Sequence, residues 1–458
     1  FENFNSVGSN TYPNILAMLS GVLDEKLDDL NGGVNEEIAY YRRVASSTYH
    51  DHLPFIWNEY ERLGYVTMYQ EDKPEWAIFH YLKDGFRYPP CSHYGRPFWI
   101  KYYRTRSGPD KCHLSEPTFK TWLDQIELFV NAMNTKQNRD QPYFSFNFLT
   151  EYTHDYLALP DSFDTSFAQM LDRLDTKGFL DNTMLIFFSD HGHRLKYYSY
   201  GTEIGRAERN LPFLIIKPPK QLEKSGGGDL IKNLDLNRRK LVSFFDVYQT
   251  LKHFFYLNKY STSSVPLDTQ RQCNKEFFGK NSKHVRTERG ISLFDTVPLN
   301  RSCPDALISI RNCACLMAEK LDEKSFLAET SETVESAGQL VLDKIDTLLS
   351  RLGRDRCERF HIERVVSVKR QLTKNNPFTP FKIYKIIVLA QPGAAWFEAD
   401  LISSNNKNNR RRQAHLSTLR VHGEIVRLSA YGNQSSCVKD SYLVNYCFCK
   451  TSAQLVKS

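Results

Sequence analysis

The stretch Thr183-Met-Leu-Ile-Phe-Phe188-Ser-Asp190-His191-Gly192-His193-Arg194 decides the fold. Thr183–Phe188 is a continuous apolar strand without alternation, the pattern of a strand buried on both faces of a parallel sheet. Asp190 and His191 follow just past its C-terminal end, where open α/β sheets bind their ligands. A carboxylate and an imidazole in succession can reach one divalent cation, and Gly192 lets the chain turn tightly around it. The competing reading of Asp-His-Gly is an ordinary polar exit from a strand. The second histidine, His193, and Arg194 weigh towards the ligand reading.

Working outward, Tyr143–Leu149 and Leu211–Ile216 are further strands. Pro13–Leu19, Phe119–Met133, Phe163–Leu174 and Leu241–Phe255 read as helices. In Phe119–Met133 the residues Trp122, Ile126, Phe129, Val130 and Met133 share one face. Apolar strands alternating with such helices predict a doubly wound α/β sheet with helices on both faces. Another helix is expected over Glu332–Leu352. Beyond it the texture turns to β, with runs at Ile362–Val368, Phe381–Ala390, Trp396–Ile402, Leu419–Ser429 and Tyr442–Phe448. The sequence therefore predicts a core over 1–352, with an irregular, Cys-containing segment at about 260–320, and a smaller β-rich, Cys-containing region over 353–458.

Two other loops carry candidate chemistry. Val7-Gly8-Ser9-Asn10-Thr11-Tyr12-Pro13-Asn14 leads into the first helix, placing the Thr11 hydroxyl in the positive field of a helix N-terminus. That setting suits an anion or an alkoxide nucleophile; it also suits a plain Thr or Asn cap. Thr150-Glu151-Tyr152-Thr153-His154-Asp155-Tyr156 follows an apolar strand, and His154 with Asp155 could bind a metal or substrate oxygens. Three such loops after strands of one sheet would converge at one edge.

The chain has 458 residues and a formal charge of +7. Basic residues are scattered except at Arg410–Arg412, a polar Asn-rich stretch read as an exposed loop, so no nucleic-acid partner is expected. No run approaches the roughly 18–20 apolar residues that span a bilayer. The ten cysteines, the pairs Cys313-Ala-Cys315 and Cys447-Phe-Cys449, and the sequons at Asn300 and Asn433 point to disulfides in an extracellular or lumenal compartment. Cys91 and Cys112 are an early pair of candidates.

Through most of its length the chain resembles the alkaline phosphatase/sulfatase superfamily, and more closely the secreted animal family called domain of unknown function 229. The residues that carry the resemblance are Val7–Asn14, Thr153-His154-Asp155, Ser189-Asp190-His191-Gly192 with Arg194, Gly205-x-x-Glu208, Leu241–Asp246, Arg301-Ser-Cys303, Cys313-Ala-Cys315 and Tyr446-Cys-Phe-Cys449. The resemblance implies an alkaline-phosphatase-like core with a divalent metal, zinc, manganese or calcium, at the strand ends. Carried over, Thr11 takes the nucleophile position and is itself a ligand of the metal, together with Asp190 and His191. Asn10, His154, Asp155, Arg194 and Glu208 become substrate-binding candidates.

Sulfatases of this superfamily use a Cys or Ser, in a Cys-x-Pro-x-Arg type motif, that becomes formylglycine. Thr11-Tyr-Pro13-Asn14 departs from it, which favours a phosphate over a sulfate ester. The superfamily also has an N-terminal strand ending in a metal-binding Asp, and this chain begins just before the nucleophile loop. The sequence is therefore read as part of a longer protein, without that first strand. The implied function is extracellular, metal-dependent hydrolysis or transfer at a phosphate ester, on a glycan or a lipid. The alternative is a catalytically silent secreted binding or scaffold protein with the same fold.

Overall fold

The computed structural model of the chain describes residues 1–23, 47–107, 111–155, 159–193, 202–224, 227–260, 289–309, 311–315, 317–350, 356–372, 381–404, 419–429, 432–438 and 443–450. Arg194, Arg410–Arg412, Cys273 and about half of the irregular segment, 261–288 above all, lie outside the described residues. Two compact units form. The first comprises Phe1–Asp24, Glu36–His193 and Glu208–Ile308; the described residues of the second fall in Arg194–Ala207 and Ser309–Ser458.

In the first unit, β1 (Phe4–Asn5) pairs in parallel with β9 (Val242–Ser243). The strand β2 (Val66–Glu71) runs parallel to β3 (His93–Tyr94) on one side and to β6 (Tyr143–Phe148) on the other, with Glu71 opposite Phe148. A small hairpin, β4 (Cys112–His113) with β5 (Glu116–Pro117), precedes the helix Thr118–Met133. Neighbouring residues of β6 show that helices cover both faces. Tyr143 meets Phe129 of that helix edge-on at 5.6 Å, and Phe144 stacks on Tyr60 of the helix Ile56–Arg62 at 4.8 Å. Successive strand residues point to opposite faces, so the layered α/β class read from the sequence is the one that forms.

The strand β7 (Leu185–Phe188) precedes the Asp190 loop and pairs with β8 (Leu214–Lys217). Here the structure corrects two expectations. The pair is antiparallel, the chain returning through the helix Glu203–Asn210, and it is not sealed on both faces. Phe187 and Ile215, directly opposed, are 39% and 57% exposed. An unbroken apolar run fixes the chemistry of both faces of a strand but not what covers them. Aromatic rings lace the motif-bearing strands together: Phe146 of β6 lies 6.4 Å from Phe188 of β7, Phe188 lies 6.4 Å from Phe244, and Phe244 lies 4.5 Å from Phe4 of β1.

A buried ion pair locks the helix Phe244–Tyr260. Arg301 donates to both carboxylate oxygens of Asp246, at 2.7 and 2.9 Å, and the same carboxylate accepts the N–H groups of Ser243 and Ile291, each at 2.7 Å. The Asp246 and Arg301 motifs thus carry structure, with a buried charge both paired and hydrogen-bonded.

The second unit is an antiparallel sheet in the order β10 (Met317–Lys320), β11 (His361–Leu372), β12 (Phe381–Gln391), β13 (Ala395–Ser404) and β14 (Leu419–Arg427). The helix Val334–Ser350 buries Ala337, Val341, Leu342, Ile345 and Leu349 in one core with Val388, Phe397 and Ala399 of the sheet. The units therefore part near 308, upstream of the expected 352, because this helix shares its core with the strands that follow it. The disulfide Cys357–Cys447 staples the end of the described chain to the start of β11, and Cys437–Cys449 closes a loop within that end. Around them the expected strand Tyr442–Phe448 is instead a tight turn, Leu443–Tyr446, pinned by Tyr446 donating to the Ile425 carbonyl at 2.6 Å.

Candidate functional site

The helix Thr11–Ser20 begins at the candidate nucleophile, with exposed Asn10 in the N-cap position. The Asn10 side chain makes no cap hydrogen bond, so it does not play the ordinary structural part of an Asn there. The loop is shaped instead by Asn14, which is fully buried. Its Oδ1 accepts the N–H groups of Val7 and Gly8 at 2.8 and 2.9 Å, and its Nδ2 donates to the Gly8 and Asn10 carbonyls, both at 3.0 Å. Pro13 packs so closely that a Cβ on Gly8 would fall 2.2 Å from its Cγ. Thr11 is left half-buried, its hydroxyl bonded to no described residue. It sits where the unpaired N–H groups of a helix start concentrate positive potential.

The second motif is held against the first. Ser6 donates its N–H to the Asn210 carbonyl at 2.9 Å, and Gly192 donates to the preceding carbonyl, that of Arg209, at 3.0 Å. The end of the helix Glu203–Asn210 thus ties the Thr11 loop to the Asp190-His191 loop. The approach is so close that a Cβ on Gly192 would fall 2.1 Å from the Glu208 carbonyl oxygen. Glu208 contributes this backbone contact, and its side chain is exposed. Arg209, 6% exposed, was not singled out from the sequence; a buried cation beside an exposed helical residue carries no sequence signature.

Asp190 and His191 present an arrangement that fits a cation. Asp190 Oδ2 is buried without a hydrogen-bond donor, and it faces His191 Nε2 at 3.3 Å. His191 Nδ1 bonds the Gly192 carbonyl at 2.8 Å. A carbonyl only accepts, so Nδ1 carries a proton; in the neutral ring the Nε2 lone pair then turns towards Asp190. Positive charge between the two atoms, a bound cation or a proton on Nε2, satisfies both. Donors bonded at about 2.0–2.1 Å to one tetrahedral ion lie about 3.3 Å apart, which matches the pair. Among the described residues, groups of three carboxylate, imidazole or thiol ligand atoms within 4.8 Å of one another are made of cysteine alone. Every cysteine in those groups except Cys315 is disulfide-bonded.

The third motif sits past β2 and β6. Asp72, fully buried, accepts the N–H groups of Thr150 and Glu151 at 2.6 and 3.0 Å and so fixes the start of the His154 loop. Burial pushes the Asp72 carboxyl up to about 7, against these two hydrogen bonds. Glu151 takes an ion pair from Arg106 at 2.8 Å. Further along, His154 Nδ1 pairs with Asp155 Oδ1 at 2.8 Å, and the His154 ring lies 5.1 Å from Trp76. Neither His154 nor Asp155 hydrogen-bonds to Thr11, Asp190 or His191. The structure thus joins two of the three predicted loops through the Arg209 and Asn210 carbonyls and leaves the third on its own scaffold.

Elsewhere in the first unit, His253 is a buried helix histidine bonded to Ser292 Oγ at 2.9 Å, and burial lowers its pKa. Cys91 and Cys112 are free thiols rather than a bonded pair, and burial pushes Cys91 up to about 12. Asn300 and Asn433, the sequon asparagines, are both exposed. No helix among the described residues is long and apolar enough to cross a membrane.

Among curated proteins none matches the chain. The family described as "Protein of unknown function (DUF229)" matches residues 1–366. That span takes in the Thr11 loop, the His154 loop and the Asp190-His191-Gly192 turn, and the chain belongs to this family.

Proposed function

We propose that the chain is an alkaline-phosphatase/sulfatase-like, metal-dependent hydrolase or transferase acting on phosphate esters, with sulfate esters second. The observation that carries the reading is the buried, donor-less Asp190 Oδ2 facing His191 Nε2, tied through Arg209 and Asn210 to the loop that presents Thr11. Asp190 and His191 would hold the divalent cation. When bound, such an ion neutralises charge on the transferring group and lowers the pKa of a hydroxyl beside it. Thr11 Oγ1 attacks phosphorus, forming a Thr–phosphate ester as the bond to the alcohol breaks and the alcohol takes up a proton. Water then hydrolyses the Thr ester. The N–H groups at the helix start favour the anionic phosphoryl oxygens. The disulfides and the exposed sequon asparagines support an extracellular or lumenal setting.

Release of p-nitrophenol from p-nitrophenyl phosphate by the full-length protein tests this. Wild type is expected to turn over and Thr11→Ala to be inactive while still folded. Equal rates would remove Thr11 from the chemistry.

A second reading, a catalytically silent binding protein on the same fold, is favoured by one observation. Only two ligands, Asp190 and His191, gather among the described residues. Folded, full-length protein that binds no metal and releases no p-nitrophenol would decide for it.

A further inference from the structure

We infer that Asn300 carries an N-linked oligosaccharide, attached through its side-chain nitrogen at the tip of a turn in the first unit. The inference rests on the extracellular or lumenal setting proposed above and is independent of Thr11 and the metal. Asn300-Arg301-Ser302 has the Asn-x-Ser pattern that such a transfer requires, with a residue other than proline in the middle. A three-residue pattern recurs by chance, and the structure of the turn is what singles this one out.

The tip is anchored on both sides. Before it, Val297 is fully buried and donates its N–H to Asn237 Oδ1 at 3.1 Å. After it, Arg301 grips Asp246 with two bonds and donates to the Leu241 carbonyl at 3.2 Å. Between these anchors Pro298, Leu299 and Asn300 are all exposed, and the Arg301 N–H closes the turn on the Pro298 carbonyl at 3.4 Å. Leu299 is 88% exposed, so even the apolar residue of the tip stands in solvent. Asn300 hydrogen-bonds to no described residue. Its amide has no part in holding the turn, and a bulky, hydrated group on it displaces no hydrogen bond.

The other sequon is built differently. Ser435 is fully buried and donates its hydroxyl to the Cys447 carbonyl at 2.6 Å, while the Gln434 carbonyl accepts the Cys449 N–H at 2.7 Å. Asn433 belongs to the disulfide-stapled turn of the second unit, so the inference is confined to Asn300. There the sequon hydroxyl, that of Ser302, bonds locally, to Asp305 at 2.6 Å. Arg301 is buried in the folded unit and Cys303 is disulfide-bonded, so transfer takes place on the unfolded chain, before Asp246 and Arg301 pair. In that step the Asn300 side-chain nitrogen bonds the anomeric carbon of the first sugar. The bond from that carbon to the diphosphate of a lipid-linked oligosaccharide breaks. The lipid diphosphate leaves, and the amide nitrogen gives up one proton to solvent.

Peptide mapping of the full-length protein, expressed through the secretory route of a eukaryotic cell, tests the inference. A glycosidase that cleaves the sugar–asparagine bond converts an occupied Asn300 to Asp, and mass spectrometry reads the conversion in the peptide that holds it. Conversion is expected in wild type and in Ser302→Thr. It should be lost in Ser302→Ala, which leaves Asn300 in place but removes the sequon hydroxyl. Asn300→Gln breaks no hydrogen bond of the turn, so it should stay folded while its intact mass falls by one oligosaccharide. Secreted protein with Cys357–Cys447 and Cys437–Cys449 bonded but Asn300 unconverted would overturn the inference and leave the extracellular setting standing. Conversion undiminished in Ser302→Ala would be spontaneous deamidation and would overturn it as well. Protein that stays in the cytosol with those cysteines as free thiols would contradict the extracellular setting, and the inference with it.

Discussion

Asp190 Oδ2 and His191 Nε2 face each other at 3.3 Å, and the buried oxygen has no hydrogen-bond donor. With the His191 ring neutral and no metal ion between them, the two atoms present lone pairs to each other. Asp190→Asn would turn an amide N–H towards Nε2 and satisfy it. In the presence of chelator the variant should therefore be more stable than wild type, by about 1 kcal/mol. Added zinc should raise the melting temperature of wild type alone. A wild-type protein that matches the variant in chelator and ignores zinc would contradict this picture.

Asn14 shapes the nucleophile loop with four hydrogen bonds from one amide. Asn14→Ala leaves two buried N–H groups without acceptors, at about 1–3 kcal/mol each. Asn14→Asp keeps those acceptors but points a carboxylate oxygen at the Gly8 and Asn10 carbonyls. Both variants should be less stable in chemical denaturation and inactive on p-nitrophenyl phosphate. Wild-type stability in either would show that the loop holds its shape by other means.

The turn at Gly192 leaves no room for a side chain, since the atoms a Cβ would meet are the Glu208 carbonyl and the Arg209 Cα. These are backbone atoms and have little room to yield. Gly192→Ala should separate the Asp190 loop from residues 208–210, break the bond from Gly192 to Arg209, and lower metal affinity at least about 10-fold. Unchanged metal affinity in a titration would show that the two loops are positioned independently.

Glu71 is buried, and desolvation raises its carboxyl to about 7 from the ordinary 4.5. The folded state then binds more protons than the unfolded chain between these values, so stability falls as pH rises through that window. Asp72, raised to about 7 from 3.8, adds to the same fall. Tyr69 and the N–H of Ile78 both donate to Glu71. In Glu71→Gln the new side-chain amide could accept from Ile78 and donate to the Tyr69 oxygen. The variant should therefore flatten part of the decline in melting temperature from about pH 5 to pH 8. An unchanged slope would show that Glu71 remains charged inside the fold.

The Thr11 and Asp190 loops were legible because their chemistry sits at strand ends and a helix start, positions that apolar runs and Pro13 mark plainly. The helix Thr118–Met133 and strand β6 were legible from periodicity and β-rich composition alone. The region carrying β2 and Asp72 was not. The strand β2, Val-Thr-Met-Tyr-Gln-Glu, ends in polar residues, and the buried Asp72 just past it depends on partners distant in sequence, Thr150 and Glu151. The antiparallel return of β8 was hidden for a similar reason: hydropathy records that a strand is apolar, not its direction. The strand expected at Tyr442–Phe448 was overridden by the neighbouring disulfides, whose pairing no spacing rule fixes.

Whether Asp190 and His191 hold a metal is decided by metal content, measured by inductively coupled plasma mass spectrometry on the full-length protein beside an Asp190→Ala/His191→Ala variant. Near-stoichiometric zinc, manganese or calcium is expected in wild type, and its loss in the variant. No metal in either protein, with both folded, would contradict the metal-dependent reading.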